Sequence, residues 1–159
     1  MEHAASRGEL AGRVAIVTGG SQGIGLAIAQ RMAADGARVV IATRRLEAAQ
    51  QAADGITTQG GEAIAIATDV RSSSDTDALV KATVSQLGAL DIVVNNAGVS
   101  TRRAAPEEFP EDEIDAILDT NLKGAYLLSV AAARQMIPRQ RGVIINIASI
   151  AGVSPVGLE

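Results

Sequence analysis

Val14-Ala15-Ile16-Val17-Thr18-Gly19-Gly20-Ser21-Gln22-Gly23-Ile24-Gly25 joins a short aliphatic run to a cluster of glycines. The run has the character of a buried strand, the glycines make a turn, and the residues from Gly23 onward open a helix. Glycines adopt backbone dihedrals closed to other residues and carry no side chain to hold an anion away from the peptide N–H groups. The helix behind the turn, residues 23–34, adds unpaired N–H groups and a partial positive charge. Strand, glycine turn and helix N-terminus together are how proteins seat a dinucleotide pyrophosphate. Gly25 is placed to let that helix lie close on a sheet. The spacing from Gly19, Gly-x-x-x-Gly-x-Gly, differs from Gly-x-Gly-x-x-Gly, and the absence of a Gly-Lys-Ser/Thr ending excludes a P-loop. A glycine-rich turn without a ligand is the competing reading of the segment taken alone.

Outward from this stretch, strand and helix patterns alternate. Strands are expected at residues 13–18, 38–43, 63–68, 91–95 and 142–148, and helices at 23–34, 46–59, 74–87 and 111–137. Gly36 stands where a glycine ends the first helix. Ser74 and Asp77 have capping-box spacing. Glu111, Asp112 and Glu113 put negative charge on the positive end of the fourth helix, and Pro138 ends it. Such alternation predicts an α/β fold, a Rossmann-like doubly wound parallel sheet of about five strands. It divides the chain into a tail at 1–10 and a nucleotide-binding domain at 11–159. Ligands of such sheets bind beyond the carboxyl ends of the strands. That rule singles out the glycine turn, Thr43-Arg44, Asp69-Val70, the stretch from Asn95 to Gly98, and Ser149.

Composition narrows the function classes. The 159 residues are 47% hydrophobic with one Phe, one Tyr and no Trp, so the core is expected to be aliphatic, as in buried parallel sheets. A formal charge of −4 and no more than two adjacent Lys/Arg argue against a nucleic-acid surface. Without cysteine there is no disulfide framework, thiol nucleophile or zinc–thiolate site. His3, the single histidine, lies in the polar tail and is expected to take no part in chemistry; no metal site is expected. No apolar run is long enough to span a bilayer, and a cytoplasmic protein without membrane partners is expected.

With these residues in view, the chain resembles the short-chain dehydrogenase/reductase family from Leu10 onward. The motifs are Thr18-Gly19-(x3)-Gly23-Ile24-Gly25, Asp69-Val70, Asn95-Asn96-Ala97-Gly98, Asn121 in Asn121-Leu122-Lys123-Gly124, and Ser149 ending Ile145-Asn146-Ile147-Ala148-Ser149. The resemblance implies that Gly19, Ser21, Gln22, Gly23, Ile24 and Gly25 hold the pyrophosphate. It implies that Asp69 accepts from the adenine amino group beside the Val70 backbone. Asn95 and Asn96 would brace the central strand, with Ala97 and Gly98 admitting the ribose. An Asp after a strand also commonly caps a turn, and that reading of Asp69 stays open.

Cofactor choice rests on the end of the second strand. NAD enzymes of this kind place an acid there; this chain has Thr43, then Arg44 and Arg45. A hydroxyl and a guanidinium suit a 2′-phosphate and point to NADP over NAD, unless the arginines only solvate a helix start. Gln22 lies where some NADP-dependent relatives carry a second base.

Asn121 sits among Ile117, Leu118, Leu122 and Ala125, where a polar side chain needs a partner. Either it bonds within the helix packing, or it kinks the helix and orders a water in a proton relay, as the resemblance implies. Ser149 resembles the serine that bonds the substrate carbonyl or the catalytic tyrosine; a turn-forming serine is the alternative.

The family completes its site with Tyr-x-x-x-Lys about a dozen residues beyond the serine. Here ten residues follow Ser149, and the single tyrosine, Tyr126, has Val130 four positions on. Tyr126 is expected to pack in the fourth helix. The expectation is a piece of a longer NADP(H)-dependent enzyme that moves hydride between nicotinamide and a secondary alcohol or ketone. Such an enzyme would act on a small-molecule substrate and form a homodimer or homotetramer through helix 111–137. A catalytically silent NADP(H)-binding module, a non-functional truncation, and a binder of another adenine nucleotide or of none are the alternatives. Val99-Ser100-Thr101-Arg102-Arg103 resembles members acting on sugar acids and on 3-oxoacyl thioesters alike, which leaves the substrate open.

Overall fold

The computed structural model describes residues 8–100 and 105–150; His3 and Thr101, Arg102 and Arg103 lie outside them. The elements run β1 (Val14–Thr18), α1 (Gly23–Ala34), β2 (Arg38–Thr43), α2 (Leu46–Thr58), β3 (Glu62–Ala67), α3 (Ser73–Leu87) and β4 (Ile92–Asn95). After a short 3-10 turn at Pro106–Glu108 come α4 (Glu111–Ile117), a π-helical stretch at Leu118–Gly124, α5 (Ala125–Met136) and β5 (Val143–Asn146).

All strands are parallel, in the order β3-β2-β1-β4-β5. The chain builds outward from β1 through β2 to β3, then returns to the other side of β1 with β4. β1 shows why its sequence is unbroken aliphatic: all five residues are buried, because both faces are covered. Val14 and Ile16 point into a layer with Leu79, Val80, Leu128 and Met136 of α3 and α5. Ala15 and Val17 point into a layer with Ala29 and Ala33 of α1 and Ala49, Ala53 and Ile56 of α2. Each fully buried Val or Ile contributes roughly 1.5–3 kcal/mol of transfer free energy. The alanines on α1 and α2 allow the helices to lie close to the sheet.

The boundaries refine the sequence expectations. Gly36 ends α1 as expected: its N–H bonds the Ala33 carbonyl at 3.0 Å and that of Ala37 bonds Met32 at 3.0 Å, a Schellman closure. The cap of α3 falls two residues earlier than expected. Ser72, not Ser74, accepts from the Asp75 N–H at 3.2 Å, so Asp75 holds the position expected of Asp77. Three consecutive serines offer the same hydroxyl, and the backbone selects the first. Residues 111–137, expected as one helix, are interrupted by the π-helical stretch, which contains Asn121.

The ends of the strands away from the glycine turn are fastened by one carboxylate. Asp91, 5% exposed, accepts from the Val14 N–H at 3.1 Å and pairs with Arg139 at 3.1 Å and Arg141 at 3.3 Å. β4, β1 and the approach to β5 are thereby tied at one point.

Candidate functional site

The return from β3 to β4 splits the sheet between β1 and β4, and the loops after these two strands face each other there. Thr18, the last residue of β1 and 1% exposed, joins them. Its Oγ1 accepts from the backbone N–H of Asn96 and of Ala97, each at 3.0 Å, and donates to the Val94 carbonyl at 3.3 Å. The Asn96 amide returns the contact, donating to the Thr18 carbonyl at 2.9 Å and to that of Gly19 at 3.3 Å. The glycine turn is thus hydrogen-bonded to the Asn-Asn-Ala-Gly loop.

The glycines are where the geometry needs them. Gly19 has φ +63°, and a Cβ there would come 3.1 Å from both the Ala97 Cα and the Asn96 amide nitrogen. A Cβ on Gly25 would collide with the Gly19 carbonyl and the Asn96 side chain. No side chain caps α1, and its first turn borders an open cleft.

That cleft, about 670 Å³, runs over the carboxyl ends of β1 to β4. It brings together the glycine turn from Gly19 to Gly25, Thr43 with Arg44, Asp69 with Val70, and Ala97 with Gly98. Val70 is 8% exposed and packs on the π-helical stretch, where a Cβ on Gly124 would come 2.7 Å from Val70 Cγ2. The Asp69 carboxylate is paired with Arg71 at 2.6 Å. Donation from that guanidinium holds the Asp69 carboxyl below its usual range against the opposing effect of partial burial, and the Arg44 charge acts in the same sense.

A second cleft of about 590 Å³ adjoins the first through Asn96, Ala97 and Gly98 and is also lined by Asn121, Tyr126, Ser129, Asn146 and Ser149. Asn121 and Ser149 therefore border one space. The Asn121 side chain is spent on Val99: its Oδ1 accepts from the Val99 N–H and its Nδ2 donates to the Val99 carbonyl, both at 2.8 Å. Asn95 lies on this side rather than in the first cleft. Its Nδ2 reaches Asn146 Oδ1 at 2.9 Å, Ser129 Oγ at 3.0 Å and the Ala125 carbonyl at 3.3 Å, so it braces β4 against β5 and α5. Tyr126, expected to pack in the fourth helix, is 66% exposed and lines this cleft, at four-residue spacing from the exposed Leu118 and Leu122. Among the described residues no cluster of His, Cys, Asp or Glu could hold a metal, and no helix is long and apolar enough to cross a membrane.

Residues 13–158 match the short chain dehydrogenase family. The chain belongs to the short-chain dehydrogenase family. An uncharacterized oxidoreductase of Mycobacterium bovis is 42% identical over 142 residues, which are 88% of this chain and 56% of that protein. The chain thus spans little more than half the length of such relatives. A metagenomic short-chain oxidoreductase solved in complex with NADP superposes with a TM-score of 0.87 at 42% identity, covering 93% of this chain and 67% of the other. An NAD+-bound xylitol dehydrogenase superposes with a TM-score of 0.89 at 34% identity, covering 92% and 56%. Members of the family thus bind either nicotinamide dinucleotide.

Several contacts that build the clefts escape a reading by motif. Thr18 opens the glycine motif, but its partners lie 76 or more residues away and could not be read from it. Arg71 stands two positions after Asp69, a spacing that allows a carboxylate to bond the backbone N–H of the residue two on. Asn146 lies in the motif that ends at Ser149, but only the pairing of β4 with β5 brings it to Asn95, and Ser129 reaches Asn95 through the packing of α5 on β4.

Proposed function

We propose that this chain is the nucleotide-binding part of an NADP(H)-dependent oxidoreductase acting on a secondary alcohol or ketone. The observation that carries the cofactor choice is the end of β2, where Thr43, Arg44 and Arg45 line the first cleft and no acid stands among them. An acid there would bond a free ribose hydroxyl and repel a 2′-phosphate, whereas a guanidinium grips a phosphate with two hydrogen bonds. The residues present fit a dinucleotide phosphate, because Gly19 and Gly25 keep the turn free of side chains and leave the first turn of α1 open to the cleft. When bound, the nicotinamide supplies or takes the hydride.

In this reading Gly19, Ser21, Gln22, Gly23, Ile24 and Gly25 hold the pyrophosphate, Asp69 and Val70 the base, and Ala97 and Gly98 the ribose. Asn121 and Ser149 serve the second cleft, where the substrate carbonyl would sit. Asn121 does so by fixing Val99, and Ser149 by offering a hydroxyl. Residues 11–159 form the nucleotide-binding domain, the whole protein is cytoplasmic, and it pairs through residues 111–137. Titration of the chain with NADPH and NADH tests the cofactor assignment. NADPH is expected to bind more tightly, and Arg44→Asp to weaken NADPH relative to NADH by about tenfold or more. An unchanged ratio would overturn the choice of NADP.

A further inference from the structure

Gly124 has ordinary helical dihedrals, φ −61° and ψ −46°, so its backbone makes no demand for glycine. Alanine is the better helix former at such a position. What the residue lacks is room. It is buried, and a Cβ on it would come 2.7 Å from Val70 Cγ2, 3.1 Å from Val70 Cβ and 3.3 Å from the Asp119 carbonyl. A change of rotamer moves Cγ2 but leaves Cβ where the backbone holds it. The loop around Val70 has little slack to yield. The Asp69 N–H donates to Asp75 Oδ2 at 3.2 Å and the Ser72 N–H to the Asp69 carbonyl at 3.0 Å, which ties it to the start of α3. The same π-helical stretch also holds the loop after β4. Asn121 takes both backbone groups of Val99 at 2.8 Å, and a Cβ on Gly98 would lie 3.4 Å from its Oδ1. Val70, Gly98 and Val99 all line the first cleft, as does Thr120 of the stretch itself.

We propose that Gly124 is a positioning residue for the nucleotide: by carrying no side chain it lets the loop after β3 close onto the π-helical stretch, and that contact sets where Val70 stands in the first cleft. The inference rests on the reading in which Val70 borders the base. Gly124 and Asn121 then place two walls of one cleft from a single stretch of chain. A side chain at 124 shifts the Val70 wall while the Val99 wall stays, and the space between them no longer fits its occupant.

The test titrates the full chain with NADPH as wild type, Gly124→Ala, Val70→Gly and the double variant, with urea midpoints measured alongside. Gly124→Ala is expected to weaken NADPH by about tenfold. In the Val70→Gly background the same change should alter affinity by less than about threefold, because no side chain at 70 remains to be met. Unchanged affinity in Gly124→Ala, whatever its urea midpoint, or equal weakening in both backgrounds overturns the inference and leaves the cofactor reading intact. Loss of all binding in Val70→Gly alone also overturns it, since Val70 would then act through its own side chain and not through its seat on Gly124. Should Gly124→Ala not fold, a double variant that folds and binds like Val70→Gly supports the inference, and one that stays unfolded or binds about tenfold more weakly overturns it. Absence of saturable NADPH binding to the wild type overturns both readings.

Discussion

At the scale of the residue, one hydroxyl carries more of this site than any charge. Thr18 Oγ1 receives two backbone N–H groups from the loop after β4, and both lose their partner if the hydroxyl is removed without changing the side-chain shape. Thr18→Val is therefore expected to cost about 2–4 kcal/mol in urea denaturation, and Thr18→Ser, which keeps the hydroxyl, about 1 kcal/mol. Equal losses for the two would assign the cost to packing instead. Legibility at this scale divides by distance along the chain. Gly19 and Gly25 could be read because a glycine states its own backbone requirement. Thr18 and Arg71 could not, because a threonine or an arginine acquires a task only from the group folded against it.

At the scale of the element, the fourth helical region differs most from its sequence pattern. The apolar spacing across residues 111–137 fits a single helix, and a π-helical stretch leaves the composition unchanged while widening the turn around Asn121. Asn121 stood out as a polar residue on an apolar helix, but its partner did not: both bonds go to the Val99 backbone, outside the helix altogether. Asn121→Ala is expected to raise amide exchange at Val99 by about tenfold and to lower stability by about 1 kcal/mol. Unaltered exchange at Val99 would show that the loop is held by other contacts. The α3 cap shows the same limit. Equivalent serines compete for the cap, and the backbone, tied to Asp75 through the Asp69 N–H, puts Ser72 there.

At the scale of the whole molecule, the doubly wound parallel architecture was legible because strands joined by helices admit few right-handed arrangements. Ile114, Leu118, Leu122 and Tyr126, four residues apart in turn, are 44%, 49%, 66% and 66% exposed, and Val143, Ile145 and Ile147 of the β5 region are 40–55% exposed. Apolar stripes of this kind favour association. Sedimentation velocity is expected to show concentration-dependent self-association that Leu122→Asp weakens, and an unaffected sedimentation profile would move the contact away from the stripe. The position of β1 also sets a schedule. β1 can pair with β2 once residue 43 has left the ribosome, while its other edge waits for β4, complete only at residue 95. At roughly 5–20 residues per second that wait lasts several seconds. The two lips of the first cleft meet only at that later pairing. A nucleotide added during refolding would then slow the return to the unfolded chain without hastening the collapse that precedes it.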